Sequence, residues 1–546
     1  MQDALNKSEV ELQKPSRSLT EVILLAGFCA FLFFFGLARF GLLGADEPRY
    51  AQVAREMLAR HDVITPTLGG ISWLEKPVLY YWQAMLAYRL FGVSDWAARL
   101  PSAFDATLMV FAIYLFLKRF RPGIALDGAL MSASFAGVIG FARSASTDMP
   151  LAAAFTIAML AWYAWHDSNR KTCLSLFYVF LALATLAKGP VAIFLAALIL
   201  VLFAVSKRDF RQLWQTLWLP GILLFCVVTL PWYLAVQLRN PEFFRVFILE
   251  HNLARFGSNL YRHPQPFWYY LPVGLLGLVP WTVFFVIAIW RSARLWWAGK
   301  RDYVRSSGGF NVFLLIWLIA PVLFFSISGS KLPGYILPAL PAGTLLASEY
   351  VWHRLAGQEK ESLVIIVLHS ILAALPINPA FLIQYIFIQR TLPWNSAAMF
   401  STAISALLAT AMVVTLRSRY GLRMLRFVTL VPVVLSIMAL LKIGAPIVDD
   451  TLSARSVAQE VHRMQDRKLP LALFLVSRET EYGLDFYENQ ALGRYELNQI
   501  PSGEHLVIAP PGCLNGISKH AAGRRVAYLG GFTPQHLDFF WVSAKQ

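Results

Sequence analysis

Ionisable side chains at the ends of long apolar blocks are costly beside lipid, so each one needs a reason to be there. Here they form a set. Asp46 and Glu47 follow the first apolar block, Glu75 and Lys76 precede Pro77, and Asp148 opens a later block within RSASTDMP. Lys188 closes another block, Glu250, His251 and Arg255 share an aromatic stretch, and Lys331 and Tyr335 lie in SGSKLPGYILPALP. Acids such as Asp46 and Glu47 can position an acceptor, bind a metal or act as a base. Each residue also has a plainer role open to it. Asp46 and Glu47 suit a helix start, Asp148 a helix cap, and Glu75–Lys76 a local ion pair. His251 suits a packed, hydrogen-bonded ring, and Arg255 and Lys331 suit lipid phosphates. What raises the functional reading is that the whole set is expected on one membrane face.

The elements that must hold this set are helices in a bilayer. The chain has 546 residues, of which 57% are hydrophobic and only 15% charged, against about 25% charged in soluble domains. The apolar residues come in blocks of roughly 18–25, the length that crosses a bilayer core, and backbone in lipid must be helical to satisfy its own hydrogen bonds. About 13 spans are expected: 21–43, 101–117, 123–142, 148–165, 173–187, 190–206, 214–237, 269–290, 309–328, 335–352, 363–388, 396–416 and 427–446. The first reads as a retained span, since 21–43 is too long for a signal-peptide core.

The formal net charge of +16 sits mainly in loops. Clusters such as Lys118/Arg119/Arg121, Lys207/Arg208/Arg211 and Arg417/Arg419/Arg423/Arg426 alternate along the chain, and the positive-inside rule makes their side cytoplasmic. The opposite side keeps many cations too, among them Arg49, Lys76, Arg143 and Arg255. An anionic substrate there explains them. No Walker loop, no GxGxxG after a strand and no RNA-binding signature occurs, so phosphate-bearing membrane lipids are the expected partners and nucleic acid is not. Cys29, Cys173, Cys226 and Cys513 form no CxxC and are not expected to make a structural disulfide.

Two outer loops, 44–100 and 238–268, read as structured and lying near the membrane plane. Asp46-Glu47-Pro48 starts a helix well, and a second helix is expected from Pro77, with Leu79, Trp82, Leu86 and Leu90 on one side. From 447 the apolar runs shorten to LALFLV, HLVIAP, RVAYLGG and FFWVSA, with a helical VAQEVHRMQD before them. This predicts an α-helical polytopic membrane domain, 1–446, followed by a small outer α/β domain, 447–546.

The run Gly44-Ala45-Asp46-Glu47-Pro48-Arg49-Tyr50 resembles the first-loop signature of the GT-C glycosyltransferases related to protein O-mannosyltransferases. Trp73, Glu75, Lys76, Pro77, Leu79, Tyr81 and Trp82, the stretch Glu250–Phe256 and the stretch Ser330–Pro338 narrow the resemblance to the bacterial aminoarabinose transferases of glycosyltransferase family 83. That family moves 4-amino-4-deoxy-L-arabinose from undecaprenyl phosphate to a lipid A phosphate at the outer face of a Gram-negative inner membrane, which protects against polymyxin. The resemblance therefore implies a periplasm-facing site with Asp46, Glu47 and Asp148 as the catalytic acids. Asp46 and Asp148 would hold the sugar ammonium or stabilise an oxocarbenium-like state. Lys76, Arg49, Arg255, Lys331 and Tyr335 would hold the donor phosphate as it leaves. No cofactor is certain; Glu75 and His251 are the candidates to bracket a divalent metal.

Two other functions fit parts of the pattern. A protein O-mannosyltransferase shares the first-loop motif but uses a hydroxyl acceptor, which needs a base. A lipid flippase places its charges near the bilayer midplane in repeated halves; here the charges gather at one face and no repeat occurs.

Overall fold

The computed structural model describes residues 17–254, 265–305, 309–384, 396–464 and 468–545. Among them, six helices are long and apolar enough to cross a membrane, or eight if two bent pairs each count as one span. The pair Pro122–Ser134 and Ala136–Ala142 bends by 62°, and the pair Phe267–Gly277 and Thr282–Ala298 by 120°. Three shorter apolar helices, Leu19–Phe34, Val191–Lys207 and Leu363–Pro379, lie among the other expected spans. The chain is a multi-pass membrane protein. Two further expected spans are helical but shorter in apolar content: Asp148–Ser168, and Leu340–Ala356 after a 3₁₀ segment at Pro333–Ala339.

Helix boundaries follow capping chemistry more than proline. The span expected from Pro101 begins six residues earlier, at Asp95, because the Ser94 side chain accepts from the Ala97 N–H at 3.4 Å. Asp95 then sits in the first turn and Lys118 and Arg119 in the last, each matched to the helix dipole. That extension brings Arg99 into the helix and into the protein interior. The helix Asp148–Ser168 is buried nearly all round, with Phe155 and Met159 fully enclosed, as expected for a central helix of a bundle.

The loop 44–100 forms two helices, Asp46–Ala59 and Leu79–Phe91. Between them β1 (Thr67–Leu68) and β2 (Ile71–Ser72) make a small antiparallel hairpin. In the second helix Tyr80, Tyr81, Ala84, Met85 and Tyr88 face inward, while Leu86 and Leu90 are exposed. The leucine side is thus the outward one, as suits a helix lying in a membrane interface.

Near the C-terminus, β3 (Leu471–Leu473), β4 (Gly493–Arg494), β5 (His505–Ala509), β6 (Val526–Phe532) and β7 (Leu537–Val542) form one mixed sheet in the order β4-β3-β5-β7-β6. β3 runs parallel to β4 and β5, and β7 runs antiparallel to β5 and β6. Helices Ala454–Met464 and Arg478–Glu488 pack with it. The apolar helical run before the sheet continues to Leu452 rather than ending at 446. It can carry Asp449 there because that carboxylate accepts from the Gly41 N–H at 2.7 Å and from Arg455 at 2.6 Å.

Candidate active site

Glu47 is the fixed point of this loop region. Its side chain is buried and accepts from Arg99 at 2.6 Å, from the Leu43 N–H at 2.9 Å and from the Ala145 N–H at 3.0 Å. Arg99 is fully buried and also donates to the carbonyls of Leu37, Phe40 and Gly41 at 2.7–2.9 Å. One carboxylate therefore ties together the end of the first helix, the helix Asp95–Phe120 and the turn that leads to Asp148. Glu47, expected among the catalytic acids, has both carboxylate oxygens engaged by these partners.

Asp46, one residue earlier, is left about half exposed, with 54% of its side chain accessible, and forms an ion pair with Arg49. It does not cap the helix; Ala45 occupies that position and offers no side chain. The Arg49 guanidinium is buried among three aromatic rings, 5.3 Å from Tyr50, 5.0 Å from Trp73 and 5.6 Å from Tyr482. Tyr482 comes from the helix beside the C-terminal sheet and was not anticipated.

Asp148 forms an ion pair with Lys188, whose ammonium stands 4.8 Å from the centre of the Tyr335 ring. The turn before Tyr335 requires its glycine. A Cβ on Gly334 would lie 2.6 Å from the Asp148 carboxyl carbon. Tyr335 is further framed by Tyr270, whose hydroxyl donates to the Leu332 carbonyl at 3.2 Å. Lys188 closes an apolar block in the sequence, but no role follows from that position alone. Burial first, then the Asp46 charge, raise the Tyr50 hydroxyl well above its ordinary pKa, and the Asp148 charge acts on it in the same direction.

The other expected residues that are described fall in two places. Glu75 and His251 face each other at 3.8 Å across a cavity of about 480 Å³ lined also by Trp73, Asn240 and Glu242. Among the described residues no group of three or more His, Cys, Asp or Glu side chains comes together. Two donors do not fit a complete metal site, and no chemical step is assigned to a metal here. Lys76 follows Glu75 directly and is half-buried. Lys331 is buried elsewhere, donating to the carbonyls of Ser328 at 2.6 Å and Gln265 at 3.0 Å. It lines a second cavity of about 700 Å³ with Leu323, Ile327 and Phe267. Arg255 lies outside the described residues.

The fold now admits comparison. The crystal structure of ArnT from Cupriavidus metallidurans bound to undecaprenyl phosphate superposes with a TM-score of 0.74 at 22% identity, covering 97% of this chain and 100% of that one. The chain has the GT-C fold of that structure. An archaeal oligosaccharyltransferase from Archaeoglobus fulgidus shares that fold more distantly, with a TM-score of 0.51 at 12% identity over 98% of this chain and 74% of that one. The family model of dolichyl-phosphate-mannose-protein mannosyltransferases matches residues 18–247, the segment that carries Asp46, Glu47, Glu75, Lys76, Asp148 and Lys188. A curated relative from Pseudomonas fluorescens (strain Pf-5) is named undecaprenyl phosphate-alpha-4-amino-4-deoxy-L-arabinose arabinosyl transferase 1. It is 33% identical over 327 residues, 59% of this chain and 58% of the relative. Its namesake in Pseudomonas aeruginosa (strain UCBPP-PA14) is 33% identical over 350 residues, 62% of this chain and 61% of the relative. The chain thus spans about three fifths of the length of the curated relatives it matches.

Proposed function

We propose that this chain is an integral-membrane glycosyltransferase that moves 4-amino-4-deoxy-L-arabinose from undecaprenyl phosphate to a lipid A phosphate. The site would face the periplasm of a bacterial inner membrane. The observation that carries this reading is the pairing of Asp46 with Arg49 and of Asp148 with Lys188, in a fold that superposes on that of ArnT.

In the proposed reaction a lipid A phosphate oxygen attacks the sugar C1. The bond from C1 to the donor phosphate breaks, and undecaprenyl phosphate leaves with the electron pair. Arg49, Lys76 and Tyr335 meet the donor phosphate and offset the charge that grows on it; Arg255 and Lys331 remain assigned to the same task. Asp46 and Asp148 meet the sugar ammonium and the positive charge that develops at C1. Both acids are already engaged by cations, an arrangement that suits an acceptor ionised before it binds. A hydroxyl acceptor, as in protein O-mannosylation, would need a carboxylate available as base.

The test is lipid A mass spectrometry in a Gram-negative host that makes the aminoarabinose donor but lacks its own transferase. A mass gain of one aminoarabinose on expression of this chain, with polymyxin resistance restored, is the expected result. Unmodified lipid A despite membrane-inserted protein would overturn the acceptor assignment.

A further inference from the structure

The helix Arg478–Glu488 belongs to the C-terminal sheet region, yet it reaches the transfer site. Its Phe486 carbonyl accepts from Arg55 at 2.9 Å, and the Tyr487 hydroxyl donates to Asp95 at 2.8 Å while accepting from the Leu42 N–H at 2.9 Å. These anchors lie on both sides of the Asp46-Glu47 motif. They present Tyr482 to Arg49 at 5.6 Å. The Tyr482 hydroxyl is occupied separately, accepting from Arg478 at 3.3 Å. The charges of Arg49 and Glu75 both act on Arg478, so the same helix also brings a cation to the edge of the site.

The Arg49 guanidinium is a plane with rings of Tyr50, Trp73 and Tyr482 around it. Aromatic faces attract a cation but accept no directed hydrogen bond in the plane, so they fix its orientation and leave the N–H edge for anions. One edge meets Asp46. The Nε–H is buried and has no acceptor among the described residues. A phosphate oxygen of the donor supplies what that edge lacks.

We infer that Tyr482 is a positioning residue of the transfer site, by which the C-terminal sheet region orients Arg49 toward the phosphate of a polyprenyl-phosphate ligand. This rests on the proposed donor class but not on the identity of its sugar. It also gives the sheet region a task within the site.

The experiment uses the full chain in lipid nanodiscs, with undecaprenyl phosphate binding as one readout and aminoarabinose transfer as the other. Tyr482→Ala is expected to weaken undecaprenyl phosphate binding about tenfold, and Tyr482→Phe to restore most of it, since the ring and not the hydroxyl faces Arg49. On an Arg49→Ala background, Tyr482→Ala is expected to add nothing, because a residue that acts through Arg49 has nothing left to act on. Tyr482→Leu keeps apolar bulk without a π face; it covers the case in which the alanine variant fails to fold, and the same loss is expected of it. Binding by the folded leucine variant equal to that of the phenylalanine variant would overturn the inference, as would full additivity with Arg49→Ala. Tyr482-dependent binding without aminoarabinose transfer supports the inference and counts against the sugar assignment instead.

Discussion

The Glu47 carboxylate is enclosed, bonded to Arg99 at 2.6 Å and to two backbone N–H groups, whereas the Asp46 carboxylate beside it is half open to solvent and pairs with Arg49 alone among the partners described. Adjacent acids in one motif thus serve different ends. The buried pair ties the loop to the helices beneath it, and the open pair is presented by that loop. The difference lies in desolvation. A charge removed from water must be paired and hydrogen-bonded, and Glu47 has an arginine and two N–H donors; a carboxylate that is to meet a substrate must keep some of its surface free, and Asp46 does. The Asp148–Lys188 pair sits between these extremes, with 20% and 12% of its side chains exposed.

The sharpest break in this comparison is to remove one partner of the buried pair. Glu47→Ala leaves Arg99 charged and enclosed, which costs about 3–5 kcal/mol. The expected outcome is loss of folded protein, read by thermal melting of the detergent-solubilised chain. A melt close to wild type would show that Arg99 finds other acceptors and that Glu47 is not the fixed point. Asp46→Asn is the matched opposite. It is expected to leave the melt within ~2 °C of wild type and to lower transfer on the order of a hundredfold, the scale of losing one charge aimed at a transition state. Equal losses of stability in both variants would erase the distinction between the two acids.

The intermediate pair yields a smaller, coupled effect. Lys188→Met and Asp148→Asn are each expected to lower transfer about tenfold, and the double variant by little more than either one, as for groups acting together. A double variant whose losses multiply would separate Lys188 from Asp148. Gly334→Ala probes the same pair from its packing side, since the added Cβ would press on the Asp148 carboxyl at 2.6 Å. A severalfold loss of transfer is expected together with a destabilisation of about 1–3 kcal/mol, the scale of overpacking a tight site.

Much of this arrangement was legible in the residues. The motif acids, the Glu75-Lys76-Pro77 step and the Ser330–Pro338 turn announce themselves as polar groups at apolar boundaries, and the short apolar runs near the C-terminus mark strands that formed. The unanticipated parts depend on partners distant in sequence. Arg99 reads as the end of a loop, and its carboxylate is 52 residues away; nothing local signals that it is buried. Tyr482 lies in RETEYGLDFYE, a segment whose glycine and acids weaken any helical reading, and its partner Arg49 belongs to the other end of the chain. β4 is two residues long, too short for periodicity to register. The leucine stripe of Leu79–Phe91 was visible as a stripe, but periodicity alone does not say whether a stripe meets core or membrane.

The smallest expected effect lies where the sheet region touches the site, at Asp485. Its carboxylate accepts from the Leu492 N–H at 2.9 Å, yet burial above all, with help from the charges of Glu481 and Glu56, raises its pKa to about 7. In the unfolded chain the same group titrates near 4. Between those values the folded state holds a proton that the unfolded state has released, so stability is greatest in acid and declines as pH rises through about 7. Asp485→Asn keeps an oxygen for Leu492 and removes the titration. Melting temperatures of the two proteins are therefore expected to agree near pH 4, with the variant melting higher by about 2 °C at pH 8. An identical difference at both pH values would mean that the Asp485 charge is not what the fold resists. Because Asp485 is three residues from Tyr482 on one helix, that helix would then owe its seating to the Phe486 and Tyr487 anchors alone, and the difference between an enclosed acid and an open one would not extend into the sheet region.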